Sequence, residues 1–136
     1  RNYSSAKVIG SGNYVGGFIG ALGDSTGFSD AVNINNNYAL GSVSGAGSVG
    51  GFVGISYEGA ITNCYSANYI NTGSDVGGFI GSEAGAYTRT YSNNFWNTSV
   101  SGKTNGVAGL SAYGVKGKTK EEMIKINTLN HAIHKF

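Results

Sequence analysis

The fold is decided by a six-residue motif, which we call the repeated phrase. It occurs three times in the chain, as Val15-Gly16-Gly17-Phe18-Ile19-Gly20, Val49-Gly50-Gly51-Phe52-Val53-Gly54 and Val76-Gly77-Gly78-Phe79-Ile80-Gly81. We expect a degraded fourth copy at Val107-Ala108-Gly109-Leu110. The first valines of successive copies are 34, 27 and 31 positions apart. Periods of this length are typical of supersecondary units that stack on one another and bury a continuous core.

Other apolar positions keep a constant offset from this phrase. Each repeat opens on an aromatic residue, at Tyr3, Tyr38, Tyr65 and Phe95. A branched aliphatic residue follows five positions later, at Val8, Val43, Ile70 and Val100. The last three aromatic residues are preceded, four positions earlier, by Ile34, Ile61 and Tyr91. Each repeat therefore contains about three short β-rich runs, and stacked copies would place Tyr over Tyr and Phe over Phe.

Glycine and asparagine surround these runs. The two adjacent glycines of the repeated phrase leave room for a neighbouring backbone or ring. Asparagines recur beside the stacked aromatic position, at Asn2, Asn36-Asn37, Asn63 and Asn93-Asn94. We expect them to be turn or ladder residues whose amides bond to neighbouring coils.

Together these patterns predict an all-β fold, a stacked-repeat, β-helix-like β-solenoid of about four coils over residues 1–115. A short C-terminal helical cap is predicted over residues 116–136. It would begin at the capping box Thr119-Lys120-Glu121-Glu122, because such a box satisfies the first free N–H groups of a helix. The apolar side of the cap would be formed by Met123, Ile126, Leu129 and Ile133.

Composition excludes several classes of protein. The chain has 136 residues, enough for one domain, and its net charge is only +2. Nucleic-acid binding needs a broad basic surface, so we expect no nucleic-acid partner. The single cysteine, Cys64, cannot build a disulfide framework, and no apolar run reaches the length of a membrane span. Because the chain begins inside a repeat, we interpret it as a fragment with further repeats of its parent at the N-terminal end.

Candidate binding residues lie in one loop and on several aromatic side chains. The gap between the first two copies is the longest, and its excess falls in residues 20–30, which contain Asp24 and Asp30. Loop insertions in repeat proteins often carry binding, although a plain surface loop is the alternative. Exposed aromatic side chains that stack on sugar rings are expected among Tyr57, Tyr87, Trp96 and Tyr113. Packing in the core or in a groove is the alternative for each of them.

Each sequence motif that could indicate catalysis or metal binding lacks a required element. Gly45-Ala46-Gly47-Ser48-Val49-Gly50 matches a dinucleotide fingerprint, but a strand rather than the required helix is expected after it. The stretch from Ala112 to Thr119 is close to a phosphate-binding loop, yet no Asp follows Asp75 to hold magnesium. His131 and His134 lack a third ligand. We therefore predict no catalytic residue, no cofactor and no metal site.

The repeats resemble the GLUG motif family of bacterial surface and secreted proteins. The resemblance rests on Asn63-Cys64-Tyr65-Ser66 followed by Val76-Gly77-Gly78-Phe79-Ile80-Gly81, and on their counterparts in the other copies. The closing part, from Asn94-Phe95-Trp96-Asn97 through Gly109-Leu110 to Glu122-Met123, is similar to the last unit of such arrays. The similarity covers roughly residues 2–124, and it departs from the family at Ala108 and in the long first loop.

This resemblance implies a location and a class of function. It places the chain outside the cell or on a bacterial cell surface, as a non-catalytic repeat domain. Such a domain would act as an adhesin or as a rigid display stalk, and its partner would be a host glycan or a host surface protein. The alternative is an accessory repeat region of a secreted peptidase of the immunoglobulin A peptidase type.

Overall fold

Most of the chain forms short β-strands. The computed structural model describes residues 1–26, 32–110 and 112–125. Its strands are β1 (Tyr3–Ser4), β2 (Lys7–Ile9), β3 (Tyr14–Gly16), β4 (Ile19–Leu22), β5 (Asn33–Asn35), β6 (Tyr38–Ser44), β7 (Ser48–Gly50), β8 (Val53–Ser56), β9 (Gly59–Thr62), β10 (Tyr65–Ile70), β11 (Asp75–Gly77), β12 (Ile80–Glu83), β13 (Arg89–Ser92), β14 (Asn94–Asn97) and β15 (Val115–Lys118). Helix α1 spans Thr98–Ser101, and helix α2 covers residues 120–125. The prediction of a β-rich fold with a short C-terminal helix is confirmed.

The strands form four parallel sheets, and each of the first three repeats contributes to all four. Sheet A has the order β1-β6-β10-β14-β15, with β2 also paired to β6; the others are sheet B (β3-β7-β11), sheet C (β4-β8-β12) and sheet D (β5-β9-β13). Strands equivalent in sequence are therefore neighbours in space. Parallel strands need long crossover connections, and here the remainder of each repeat provides them.

Equivalent side chains pack directly on one another. The rings of Phe18 and Phe52 are parallel within 8° with centroids 4.9 Å apart, and those of Phe52 and Phe79 are within 3° at the same distance. Tyr38 stacks between Tyr3 and Tyr65 at 5.2 Å and 4.9 Å. The predicted stacking of Tyr over Tyr and Phe over Phe is confirmed.

The core is built from these ladders. Phe52 and Phe79 are fully buried, together with Ile61 and Ile80, in a cluster that also holds Trp96. A second cluster contains the Val15–Val49 ladder with Val43 and Ile70. Burying each such side chain contributes about 1.5–3 kcal/mol to stability.

Glycines of the repeated phrase stand where atoms come too close for a side chain. A Cβ on Gly50 would overlap the carbonyl oxygen of Val53, which lies across the tight bend of the same phrase. A Cβ on Gly78 would overlap the indole ring of Trp96. The predicted close approach of a backbone or a ring is confirmed, and lack of space explains why the phrase needs glycine.

Asparagines form ladders between repeats. Asn36, Asn63 and Asn93 have φ of 59°, 55° and 56°, the left-handed conformation that Asn tolerates better than most residues. The Asn93 amide donates to Asn63 Oδ1 at 2.7 Å. Inside the sheet, the main-chain N–H of Cys64 donates to Asn94 Oδ1 at 3.0 Å. The predicted turn and ladder roles of the asparagines are confirmed.

The fourth repeat departs from the predicted alignment. Val107 pairs with Ile80 rather than with Val76, and the N–H groups of Phe79 and Ile80 both donate to the carbonyl of Gly106, at 2.9 and 2.8 Å. Residues 103–108 are thus the true fourth copy, with glycine where earlier copies have Phe. Leu110 is 52% exposed and is not part of the Phe ladder. The alignment of residues 107–110 with the phrase is therefore wrong.

Trp96 fills the space that is left because the fourth copy has no Phe ring. It is only 6% exposed, and its indole lies against Gly78 and Gly106. Its Nε1 donates to the carbonyl of Lys103 at 3.0 Å. Of the two interpretations of Trp96, packing in the core is therefore confirmed and exposure is wrong, because its ring occupies the space beside Gly106, where the earlier copies have Phe.

A helical turn replaces the strand predicted around Val100. Asn97 Oδ1 accepts hydrogen bonds from the N–H groups of Ser99 and Val100 at 3.0 and 3.1 Å, and the turn ends at Gly102 with φ 66°. Capping of this kind favours helix over strand. The strand expected at Val100 is thus wrong.

The C-terminal segment joins sheet A before it turns helical. The predicted boundary between residues 115 and 116 lies inside β15, which pairs with β14. The capping box is confirmed: Thr119 N–H donates to Glu122 Oε2 at 2.8 Å, and Glu122 N–H donates to Thr119 Oγ1 at 3.3 Å. Met123 is buried as predicted. Ile126, Leu129, His131, Ile133 and His134 lie outside the described residues.

Within the described ranges, the helices are too short or too polar to cross a lipid bilayer.

Candidate functional site

An open groove of about 570 Å³ runs beside β13, the last strand of sheet D. Its lining comes from the end of β12, the following loop, β13 itself and the loop before β15, and it includes Glu83, Tyr87, Arg89, Tyr91, Ala112 and Tyr113. Residues 105–108 bond to the main chain of residues 78–80 but do not add a fourth strand to sheet D, so the edge of β13 faces the groove.

Arg89 fixes one wall of the groove. Its Nη1 donates to the carbonyls of Tyr57 at 2.7 Å, Ala84 at 2.9 Å and Gly85 at 3.3 Å. Its Nε lies 3.8 Å from Glu83 Oε1. A guanidinium with this many carbonyl partners holds the loop after β12 in place, and little of its hydrogen-bonding capacity remains for a ligand.

Tyr91 forms the floor together with Glu83. Its hydroxyl donates to Glu83 Oε1 at 2.7 Å and lies 3.1 Å from the hydroxyl of Ser56. Burial raises the pKa of Tyr91 above its ordinary value, and the Glu83 carboxylate raises that pKa further. The phenol is therefore neutral at physiological pH and acts as a hydrogen-bond donor.

Of the predicted binding residues that the structure describes, Tyr87 and Tyr113 line this groove. The Tyr87 hydroxyl donates to the carbonyl of Ser25 at 2.9 Å, so it connects the groove wall to the loop that contains Asp24. Tyr113 is 96% exposed.

The other predicted residues lie elsewhere. Asp24 Oδ1 accepts from the N–H and the hydroxyl of Thr26, at 2.8 and 2.6 Å, within its own loop. Asp30 lies outside the described residues. The ring of Tyr57 meets that of Tyr14 edge to face at 6.4 Å, and a hydrogen bond with Tyr14 raises the pKa of Tyr57.

Metal-binding and thiol chemistry have little support in the described ranges. No group of three or more His, Cys, Asp or Glu side chains there is placed to hold a metal ion. Cys64 takes a place in the asparagine ladder: its Sγ accepts from the N–H of Asn37 at 3.4 Å and lies 3.3 Å from the Thr62 carbonyl. Burial raises the pKa of the Cys64 thiol, which favours the unreactive protonated form.

Sequence reasoning missed the network of Glu83, Arg89 and Tyr91. One signal was present, because Tyr91 stands in register with Ile61 and, through it, with Ile34. A tyrosine at an isoleucine position brings a hydroxyl that needs a partner. The partners of Arg89 are mostly main-chain carbonyls, which leave no trace in the sequence.

Comparisons with protein-family models, curated proteins and solved structures found no significant match for this chain.

Proposed function

We propose that this chain is a β-solenoid of about four GLUG-like coils and that it serves as a rigid display stalk in a bacterial cell-surface or secreted protein. The observation that carries the proposal is the Phe18–Phe52–Phe79 ladder, in which equivalent residues of successive repeats stack in register. A non-catalytic role fits the way the repeated residues are used, since they pack against one another in the interior.

Rigidity follows from the way neighbouring repeats are joined. The N–H of Phe52 donates to the carbonyl of Phe79 at 2.8 Å, and the N–H of Phe18 donates to the carbonyl of Phe52 at 3.0 Å. Each repeat is thus tied to the next by main-chain hydrogen bonds and by close-packed side chains. Stability in such arrays is the sum of repeat and interface contributions, and a stiff unit results.

Further repeats of the parent chain would stack on the first coil. Tyr3 is 63% exposed, whereas its counterpart Tyr38, which is stacked between Tyr3 and Tyr65, is only partly exposed. Tyr14 is 42% exposed on the same outer edge. The outer edge of the first coil offers the same ladder geometry that joins the first and second coils. Another coil of similar sequence would bury these rings.

Single-molecule force spectroscopy tests the stalk role. Held by its two ends, the chain should unfold in one or a few sharp events. The total contour gain should be roughly 400 Å, from ~3.4 Å per released residue. A smooth extension without a rupture force would refute a mechanical role.

The groove beside β13 favours adhesion as a second function. Tyr87 and Tyr113 both line it, and exposed aromatic residues are typical of binding surfaces. A screen against host glycans and matrix proteins tests this role, and refusal of every ligand would leave the stalk role alone.

A further inference from the structure

The last strand of sheet D keeps an uncovered edge in the described part of the chain. Sheet A continues past β14 into β15. Residues 105–108 cover the segment between β11 and β12 and the start of β12, since Gly78 N–H donates to the Asn105 carbonyl at 2.9 Å and Ala108 N–H donates to the Ile80 carbonyl at 3.3 Å. Sheet D ends at β13, and the groove lies against that strand.

The hydrogen bonds between β13 and β9 show which main-chain groups of β13 point the other way, into the groove. Gly59 N–H donates to the carbonyl of Thr88, and Asn63 N–H donates to that of Ser92, both at 3.1 Å. Because successive residues of a parallel strand face opposite neighbours, residues 88, 90 and 92 face β9. The N–H and C=O groups of Arg89 and Tyr91 therefore face the groove.

Within residues 1–26, 32–110 and 112–125, no main-chain group bonds to these outward groups of Arg89 or to the N–H of Tyr91. The Tyr91 carbonyl is covered, because Gly114 packs directly against it. The available edge thus comprises three groups, the N–H and C=O of Arg89 and the N–H of Tyr91. The Tyr87 ring and the loop containing Ala112 line the same groove.

We propose that this edge binds an extended peptide segment of a partner protein, which adds to sheet D as its next parallel strand. Strand addition draws its affinity from main-chain hydrogen bonds and its specificity from pockets for alternate side chains. The groove suits this mode better than recognition of a charged ligand, since Arg89 and Glu83 already bond to the protein. The proposal does not depend on the stalk role.

The existing ladder defines the geometry of the added strand. In the chain, Ala60 N–H donates to the Val32 carbonyl at 2.8 Å, so residue 60 of β9 faces the preceding strand. A peptide with the sequence of β9 in the same register would donate from its Ala60 to the Arg89 carbonyl and accept there from the Tyr91 N–H. Its Ile61 would lie over Tyr91, as Tyr91 lies over Ile61 in the protein.

A synthetic peptide with the sequence of residues 57–61, Tyr-Glu-Gly-Ala-Ile with an amidated C-terminus, is the probe, because Gly114 already covers the Tyr91 carbonyl to which the next residue would bond. Binding is followed by NMR of the whole chain. In the free protein, the amide protons of Arg89 and Tyr91 should exchange with solvent much faster than that of Thr90. Peptide addition should shift the Arg89 and Tyr91 resonances in a saturable way and slow their exchange.

Two N-methylated peptides form a matched pair of controls. A methyl on the Ala60 nitrogen removes the donor to Arg89 and should weaken binding at least about tenfold, whereas a methyl on the outward Ile61 nitrogen should change it no more than about threefold.

Three results would each overturn the proposal: protection of Arg89 and Tyr91 in the free protein equal to that of Thr90, equal losses from the two methylated peptides, or no shift at millimolar peptide. Neutral oligosaccharides that perturb Tyr87 and Tyr113 where the peptide does not would likewise refute it and assign the groove to sugars.

Discussion

Replacing Phe52 with alanine should be among the most damaging single changes in the chain. Phe52 is fully buried, and its ring lies between those of Phe18 and Phe79 at 4.9 Å on each side. Phe→Ala changes in protein cores cost about 3–5 kcal/mol, and the cost is highest where the surroundings cannot collapse. Main-chain hydrogen bonds fix the spacing of the repeats on both sides of Phe52. We therefore expect Phe52→Ala to lower the free energy of unfolding by about 4–5 kcal/mol.

Position in the ladder supplies the matched comparison. Phe18 is only half-buried and stacks on one neighbour instead of two. Phe18→Ala should therefore cost about half as much, roughly 2 kcal/mol. Phe52→Leu retains most of the buried volume and should cost about 1–2 kcal/mol.

Equilibrium urea unfolding, followed by circular dichroism and by the fluorescence of the buried Trp96, measures all three variants. The unfolding midpoints should fall in the order wild type, Phe52→Leu, Phe18→Ala, Phe52→Ala, with the first two variants close together. Equal costs for Phe18→Ala and Phe52→Ala, or a Phe52→Ala cost below about 2 kcal/mol, would refute the stacked-ladder reasoning.

Three further perturbations test separate contacts. Gly78→Ala drives a methyl into the Trp96 ring and should cost at least about 2 kcal/mol, whereas Gly12→Ala meets no atom within 4 Å and should change stability by less than about 0.5 kcal/mol. Cys64→Asn should stabilise the protein by about 0.5–1.5 kcal/mol, because an amide at this ladder position is a stronger hydrogen-bonding group than a thiol. The raised pKa of Tyr91 means that its contribution to stability is complete below the unfolded tyrosine pKa of about 10 and is lost as the pH rises above it; Tyr91→Phe should remove that part of the alkaline loss.

Each of these expectations has a contrary outcome in the same urea assay. Similar costs for the two glycine variants would show that space around Gly78 is not limiting. A Cys64→Asn protein no more stable than the wild type would contradict the ladder role of position 64. An unchanged loss of stability between about pH 10 and 12 in Tyr91→Phe would remove Tyr91 from the alkaline transition.

The repeated phrase made the stacked core predictable. When one residue of each repeat must pack on its counterpart, the same side chain has to recur at the same offset, and Phe18, Phe52 and Phe79 do recur in this way. Stacking therefore requires a periodic sequence, and the parallel pairing of equivalent strands can be predicted from that periodicity.

Places where the chain stops repeating were beyond prediction. Residue identity aligned Val107 with the valines that begin the earlier copies, but in the structure the main chain of Val107 pairs with Ile80. The register there depends on α1 and on the Trp96 ring above Gly106. Both are tertiary features that compensate for the Phe that the fourth copy lacks, so the local sequence does not reveal them. The groove escaped notice for a similar reason, since its edge consists of the main-chain groups of Arg89 and Tyr91.

The central claim is that equivalent residues of successive repeats are in contact, and nuclear Overhauser effects between valine methyl groups test it most directly. With Val15, Val49 and Val76 selectively labelled, Val49 should give cross-peaks to both of the others, since it pairs with each in sheet B. Val15 and Val76 should give none to each other, because two strand spacings, about 10 Å, separate them. Absence of the Val49 contacts, or a direct contact between Val15 and Val76, would contradict the account.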